Sequence, residues 1–97
     1  MNNNFLGMVR QWQEFFFDKR YSGVHMTSPD FIKIADAHGI PGRRVTTRAE
    51  VDEAIAWARS IEGPAVLEFR VEKEDAVYPM VPAGAALDQM LQRPVRA

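Results

Sequence analysis

The sequence predicts an α/β fold, a portion of a doubly wound parallel sheet. Three observations lead there. After a first helix, the patterns alternate as helix, strand, helix, strand and tail. The second strand opens as an unbroken apolar run, Ala65-Val66-Leu67, as strands covered on both faces do. Two short strands beside three helices also leave an unpaired sheet edge, which parallel sheets fill with further strands. The expectation is therefore an incomplete sheet whose earlier strands are missing. One partial domain spans residues 1–97, with 76–97 as an extended tail and short helix.

Residues 6–17 read as the first helix, with neither Pro nor Gly after Gly7. At about 100° per residue, Arg10, Gln11 and Glu14 share a narrow polar arc. The rest is apolar, with Met8, Trp12 and Phe15 to one side, Leu6, Val9 and Phe17 to the other, and Phe16 between. So wide an apolar arc is either buried on two sides or meets a partner or ligand on one. Residues 18–27 read as a loop. Ser28, Pro29 and Asp30 then supply an N-cap, a first-position proline and a first-turn acid. This second helix runs to about His38 and stops at Gly39, with Phe31, Ile34, Ala35 and His38 as its inward stripe.

Residues 43–46 are a short strand. Thr47 and Glu50 form the capping box of a third helix, along which Val51, Ala54, Ile55, Ala58 and Ile61 recur at helical spacing. Gly63 and Pro64 end it. Residues 65–72 are the second strand, apolar first and alternating afterwards. A charged turn follows at 73–75. Pro79 and Pro82 keep 77–84 extended, and residues 85–92 form a short helix before a basic tail.

Charge and composition exclude several classes. Lys and Arg number 12 and Asp and Glu 13, so the net charge of -1 offers no basic stripe for nucleic acid. With 46% hydrophobic residues the chain is neither disordered nor collagen-like. No apolar run approaches the roughly 18–20 residues of a membrane span. The first residues have neither the basic nor the apolar region of a signal peptide. Zero cysteines exclude disulfides and thiolate metal sites and fit a cytoplasmic protein.

Two segments carry a resemblance. Asn2-Asn3, three further residues, and Gly7-Met8-Val9-Arg10-Gln11-Trp12-Gln13 open the chain. Tyr78-Pro79-Met80-Val81-Pro82-Ala83-Gly84 lies near its end, with Arg20-Tyr21-Ser22, Pro29-Asp30-Phe31 and Gly63-Pro64 between. Together they closely resemble the C-terminal part of the thiamine-diphosphate domain of the acetohydroxyacid synthase (acetolactate synthase) catalytic subunits. The resemblance implies thiamine diphosphate and Mg2+, with FAD bound outside this segment. It implies pyruvate and 2-ketobutyrate as 2-keto acid substrates. In that family a Gly-Asp-Gly turn and a later Asn-Asn pair bind the diphosphate through the metal, which prefers hard oxygen ligands.

Carried over, the Asn3 side-chain oxygen and the Phe5 carbonyl are the metal ligands, and Gly7 and Met8 join them at the cofactor. A rival register on Asn3-Asn4 leaves two residues before Gly7 where the family has three. Met8, Val9, Trp12 and Phe16 would line the channel above the thiazolium, with Trp12 touching the second 2-keto acid. Met1 stands directly before the Asn pair. The Asp-bearing half of the metal motif, the activating Glu and the FAD domain must therefore come from remaining domains or another subunit. No catalytic residue is assigned to this segment, which is expected to be inactive alone.

Other residues read as structural. His25 falls in a loop and His38 on a helix stripe, with no ligand pattern between them. Glu50, Asp52 and Glu53 suit a helix start, and Arg43 and Arg44 read as the solvated beginning of a strand. Two functions follow: a C-terminal piece of a carboligase, or a non-enzymatic module or remnant that docks on another chain.

Overall fold

In the computed structural model, which describes residues 1–95, two parallel strands pair: β1 (Gly42–Val45) and β2 (Val66–Phe69). Gly42 stands opposite Val66, and Val45 opposite Phe69. Side chains alternate between faces along each strand, and each face has its own helix. Helix α2 (Phe31–Ala37) lies over the Gly42 and Arg44 side. A Cβ at Gly42 would stand 3.2 Å from the Ala35 Cβ and 3.4 Å from Ile32, so glycine is what lets the helix approach this closely. Helix α3 (Val51–Arg59) covers the other side, where Arg43 bonds Glu53 at 2.7 Å and lies 5.7 Å from the Trp57 ring centre. The α/β class holds. Arg96 and Ala97, the end of the expected tail, lie outside the described residues.

The chain start extends the sheet. The Asn2 N–H donates to the Phe69 carbonyl (2.8 Å), and the Val71 N–H donates to the Asn2 carbonyl (3.1 Å), beside β2 in parallel. Among the described residues nothing pairs with the outer edge of β1.

Three local expectations change. The cap of α2 is Asp30, not Ser28: its Oδ1 accepts the N–H groups of Ile32 (3.0 Å) and Lys33 (3.2 Å). Its inward side is Ile32 and Ala35, while Phe31, Ile34 and His38 are exposed, because the close contact at Gly42 sets the helix's rotation. The helix expected at 85–92 shrinks to one 3-10 turn, Leu87–Gln89. Met80 and Leu91 pair antiparallel across it (3.1 and 2.7 Å), and exposed Leu87 finds no surface that would support a longer helix. The capping interaction before α3 forms as expected, with Glu50 taking the N–H groups of Thr46 (2.8 Å) and Thr47 (2.9 Å).

Helix α1 (Gly7–Phe16) turns its polar arc inward. Arg10 and Gln11 are fully buried, whereas Leu6, Met8, Val9, Trp12, Phe16 and Phe17 are exposed. Gln11 grips one residue of the tail twice, accepting the Val77 N–H (2.7 Å) and donating to the Val77 carbonyl (3.1 Å). Arg10 donates to the Asp75 carbonyl (2.9 Å) and pairs with Glu14 at 3.3 Å. Gln13 grips Ser22 in the same double manner, at 3.0 Å both ways.

This leaves an elongated molecule, 49 × 27 × 26 Å, with a radius of gyration of 17.6 Å. A compact chain of this length would have about 12.5 Å. Its surface of 7454 Å² exceeds the roughly 5,600 Å² of a compact chain of similar mass. The fully buried apolar set is correspondingly small: Val24, Ala35, Val45, Ala54 and Ala76.

Gln11→Ala should lower stability by about 1–3 kcal/mol, since it removes both hydrogen bonds to Val77. Urea unfolding measures the loss, and amide exchange at Val77 should quicken more than at Ala58 in α3. Equal stability would show that the tail is held by other contacts.

Candidate functional site

The turn at residues 2–5 is built by its own side chains. The Asn2 Oδ1 accepts the Asn4 N–H (3.0 Å), and the Asn3 Oδ1 accepts the Phe5 N–H (3.0 Å). Asparagine suits this role because its short amide mimics a backbone turn and tolerates the left-handed region; Asn4 sits there with φ 59°. The chain then pairs antiparallel with the following loop at Phe5 and His25. The bonds there run from the Leu6 N–H to the Val24 carbonyl and from the Met26 N–H to the Asn4 carbonyl, both 2.8 Å. The Phe5 carbonyl is left out of that pairing. The Phe5 ring is edge-on to His25 and Tyr21, with the Arg10 guanidinium 5.7 Å from its centre.

Helix α1 starts at Gly7 directly after this turn, with no side-chain oxygen capping it. Its first-turn N–H groups therefore lack intrahelical partners. A Cβ at Gly7 would meet only the Asn3 Nδ2, at an ordinary 3.7 Å, so packing within the chain does not demand glycine there. Glycine instead leaves room at the helix start.

Met8, Val9, Trp12 and Phe16 share the outward face of α1. The Trp12 and Phe16 rings lie 5.3 Å apart, and those residues remain 45% and 42% exposed. All the residues expected at the cofactor and channel thus fall within one turn and one helix face.

Sequence reading passed over the charged network beneath the turn. Glu68, 4% exposed in the middle of β2, bonds the Asn2 amide (Nδ2 to Oε1, 2.6 Å) and Arg44 (Nε to Oε2, 2.6 Å). Arg70 approaches the same carboxylate at 3.4 Å and donates to the Asn4 Oδ1 at 3.0 Å. Arg44 also pairs with Asp30, the α2 cap, at 2.7 Å. It is therefore a tie between helix and sheet rather than the solvated start of a strand. Burial pushes the Glu68 carboxyl up, but hydrogen bonds from Arg44 and Asn2 and the charges of Arg44 and Arg70 outweigh it, leaving the pKa below the ordinary value. The one available signal was an acid flanked by Leu67 and Phe69 in a short strand. Helix α2 covers the face that carries it.

No group of three or more His, Cys, Asp or Glu able to hold a metal occurs among the described residues. A hard cation here would instead meet the Asn3 amide oxygen and the Phe5 carbonyl, neutral donors of the kind magnesium accepts together with phosphate oxygens. No helix among the described residues is long and apolar enough to cross a membrane.

The free N–H groups of an uncapped helix start are suited to a phosphate group. The chain belongs to the thiamine pyrophosphate enzymes, with residues 1–69 matching the model of their C-terminal TPP binding domain. Within that class it is similar to acetolactate synthases. It is 45% identical over 91 residues to the mitochondrial acetolactate synthase catalytic subunit of Aspergillus candidus, covering 94% of this chain and 13% of that one. The Saccharomyces cerevisiae mitochondrial catalytic subunit is 44% identical over the same length and coverage. Acetolactate synthase isozyme 2 large subunit of Escherichia coli is 39% identical over 94 residues, 96% of this chain and 17% of the relative. The chain thus spans between 13% and 17% of the length of these curated relatives.

A lowered carboxylate pKa stabilises the fold above the unfolded-state value, about 4.3 for Glu. That contribution is lost as pH falls through the folded value. The stability gap between wild type and Glu68→Gln should therefore be widest near pH 6–7 and narrow below about pH 4. Urea unfolding across this range checks it; a gap that does not change with pH would contradict the assigned cause.

Proposed function

We propose that residues 2–16 form one wall of a thiamine-diphosphate site and its substrate channel in an acetolactate synthase. The observation that carries the reading is the continuity of the oxygen-bearing turn with the exposed face of α1. Asn3 and Phe5 would present oxygens to Mg2+, and the N–H groups at Gly7 and Met8 would face the diphosphate. Met8, Val9, Trp12 and Phe16 would form an apolar channel wall that excludes water and orients 2-keto acids. When bound, thiamine diphosphate supplies the carbanion chemistry that decarboxylates pyruvate and joins its two-carbon unit to pyruvate or 2-ketobutyrate. Further metal ligands, the group that activates the cofactor and the FAD site would come from remaining domains or another subunit. The whole would operate in the cytoplasm.

Trp12 has a role that can be tested on its own. A rigid indole packed against the acceptor's extra methyl discriminates by about 1–3 kcal/mol. A second reading, a docking module without catalysis, draws on the same exposed α1 face.

The purified 97-residue chain should form no acetolactate from pyruvate with saturating thiamine diphosphate, Mg2+ and FAD; product above a protein-free control would contradict this. Grafted in place of the equivalent segment of an acetolactate synthase relative, the chain should support turnover. Trp12→Leu in that graft should then shift the ratio of 2-ketobutyrate to pyruvate products by roughly 10- to 200-fold. A competition assay reads this ratio beside soluble yield. An unchanged ratio with reduced yield would make Trp12 a packing residue, and a folded graft without turnover would favour the docking module.

A further inference from the structure

We propose that Glu68 is a positioning residue that sets the turn at residues 2–5 and thereby aims the Asn3 oxygen. The inference rests on the reading of Asn3 and Phe5 as oxygen donors, and it concerns what holds them in place. Both Glu68 oxygens are committed. Oε2 takes the Arg44 Nε, and Oε1 takes the Asn2 Nδ2, each at 2.6 Å. Arg44 is in turn anchored by Asp30 at 2.7 Å, so the carboxylate cannot swing without disturbing the α2 cap.

An ionised carboxylate only accepts hydrogen bonds. The Asn2 amide must therefore point its NH2 at Glu68 and its oxygen the other way, where it receives the Asn4 N–H at 3.0 Å. A flipped amide would set oxygen against carboxylate. Glu68 also acts from the far side of Asn3. Arg70, 3.4 Å from the same Oε1, donates to the Asn4 Oδ1 at 3.0 Å. Asn4 is held in the left-handed region, which residues other than glycine seldom occupy. One buried carboxylate thus grips Asn2 directly and Asn4 through Arg70. Asn3, between them, is left with its oxygen toward the Phe5 N–H at 3.0 Å and its Nδ2 toward the α1 start at Gly7. Without Glu68, both amide orientations are open to Asn2 and Arg70 loses its counter-charge.

The test compares the full 97-residue chain with Glu68→Gln, Asn2→Asp and the double variant. The double variant exchanges donor and acceptor: an Asp at 2 can take the Nε2 of a Gln at 68, whose oxygen still takes Arg44. Amide exchange by NMR should quicken on the order of tenfold at Asn4 and Phe5 in each single variant, relative to Ala58 in α3. The double variant should restore it. Unchanged exchange at Asn4 and Phe5, equal acceleration at Ala58, or a double variant no better than the singles would each overturn the inference. Asn2→Asp lies at the chain start and decides the matter even if Glu68→Gln fails to fold. Calorimetric Mg2+ affinity of the acetolactate synthase graft, in thiamine diphosphate, provides the second arm. Glu68→Gln should weaken it by about 10- to 100-fold, with recovery in the double variant, whose net charge equals that of wild type. Altered exchange with the Mg2+ affinity of the graft unmoved would uphold the role of Glu68 in the turn and overturn Asn3 and Phe5 as donors.

Discussion

The double hydrogen bond between Gln11 and the backbone of Val77 is the constraint on which the rest of the α1 region depends. A side-chain amide that accepts an N–H and donates to the carbonyl of the same residue substitutes for one rung of a sheet. Arg10 adds a bond to the Asp75 carbonyl and places its guanidinium between the Phe5 and Tyr21 rings. These bonds fasten the tail beneath α1 and place its polar arc inside. The apolar arc is then outside by geometry, because a helix has only one circumference.

That inversion explains two features at once. The chain is longer and has more surface than a compact molecule of its size, and an aromatic and aliphatic face stands open next to the turn at residues 2–5. Contiguous exposed apolar surface on a soluble chain marks a place where something else binds. In this member of the thiamine pyrophosphate enzyme family, that place directly follows the turn proposed above to face a diphosphate and its metal.

The other half of the molecule is organised by charge on one face of the sheet. Asp30, Arg44, Glu68 and Asn2 form a chain of bonds between 2.6 and 2.7 Å that links the α2 cap, β1, β2 and the chain start. A buried carboxylate is tolerable only when its oxygens are fully paired, and this one is. Its hydrogen bonds, together with the backbone pairing of Asn2 to Phe69 and Val71, connect the α/β layers to the asparagine turn.

Local chemistry was legible in the residues. The alternation of helices and strands, the Glu50 capping interaction and the end of α2 near Gly39 follow from short-range rules, and all are found; the segment 77–84 expected to be extended instead bends at Tyr78 and Pro79 and turns at Ala83 and Gly84. The segments 2–13 and 78–84 together indicated the family, and the wide apolar arc of the first helix indicated a face in need of a partner. Tertiary structure alone decided which way the faces turn. Periodicity groups Arg10, Gln11 and Glu14 on one arc but cannot tell that the arc is buried, because the partners are backbone groups at residues 75 and 77, far along the chain. The pattern of residues 65–72 likewise does not single out Glu68, whereas a covering helix and partners at residues 2 and 44 keep it buried. Hydrophobic patterning records how residues are grouped, and only long-range hydrogen bonding determines which group lies inside.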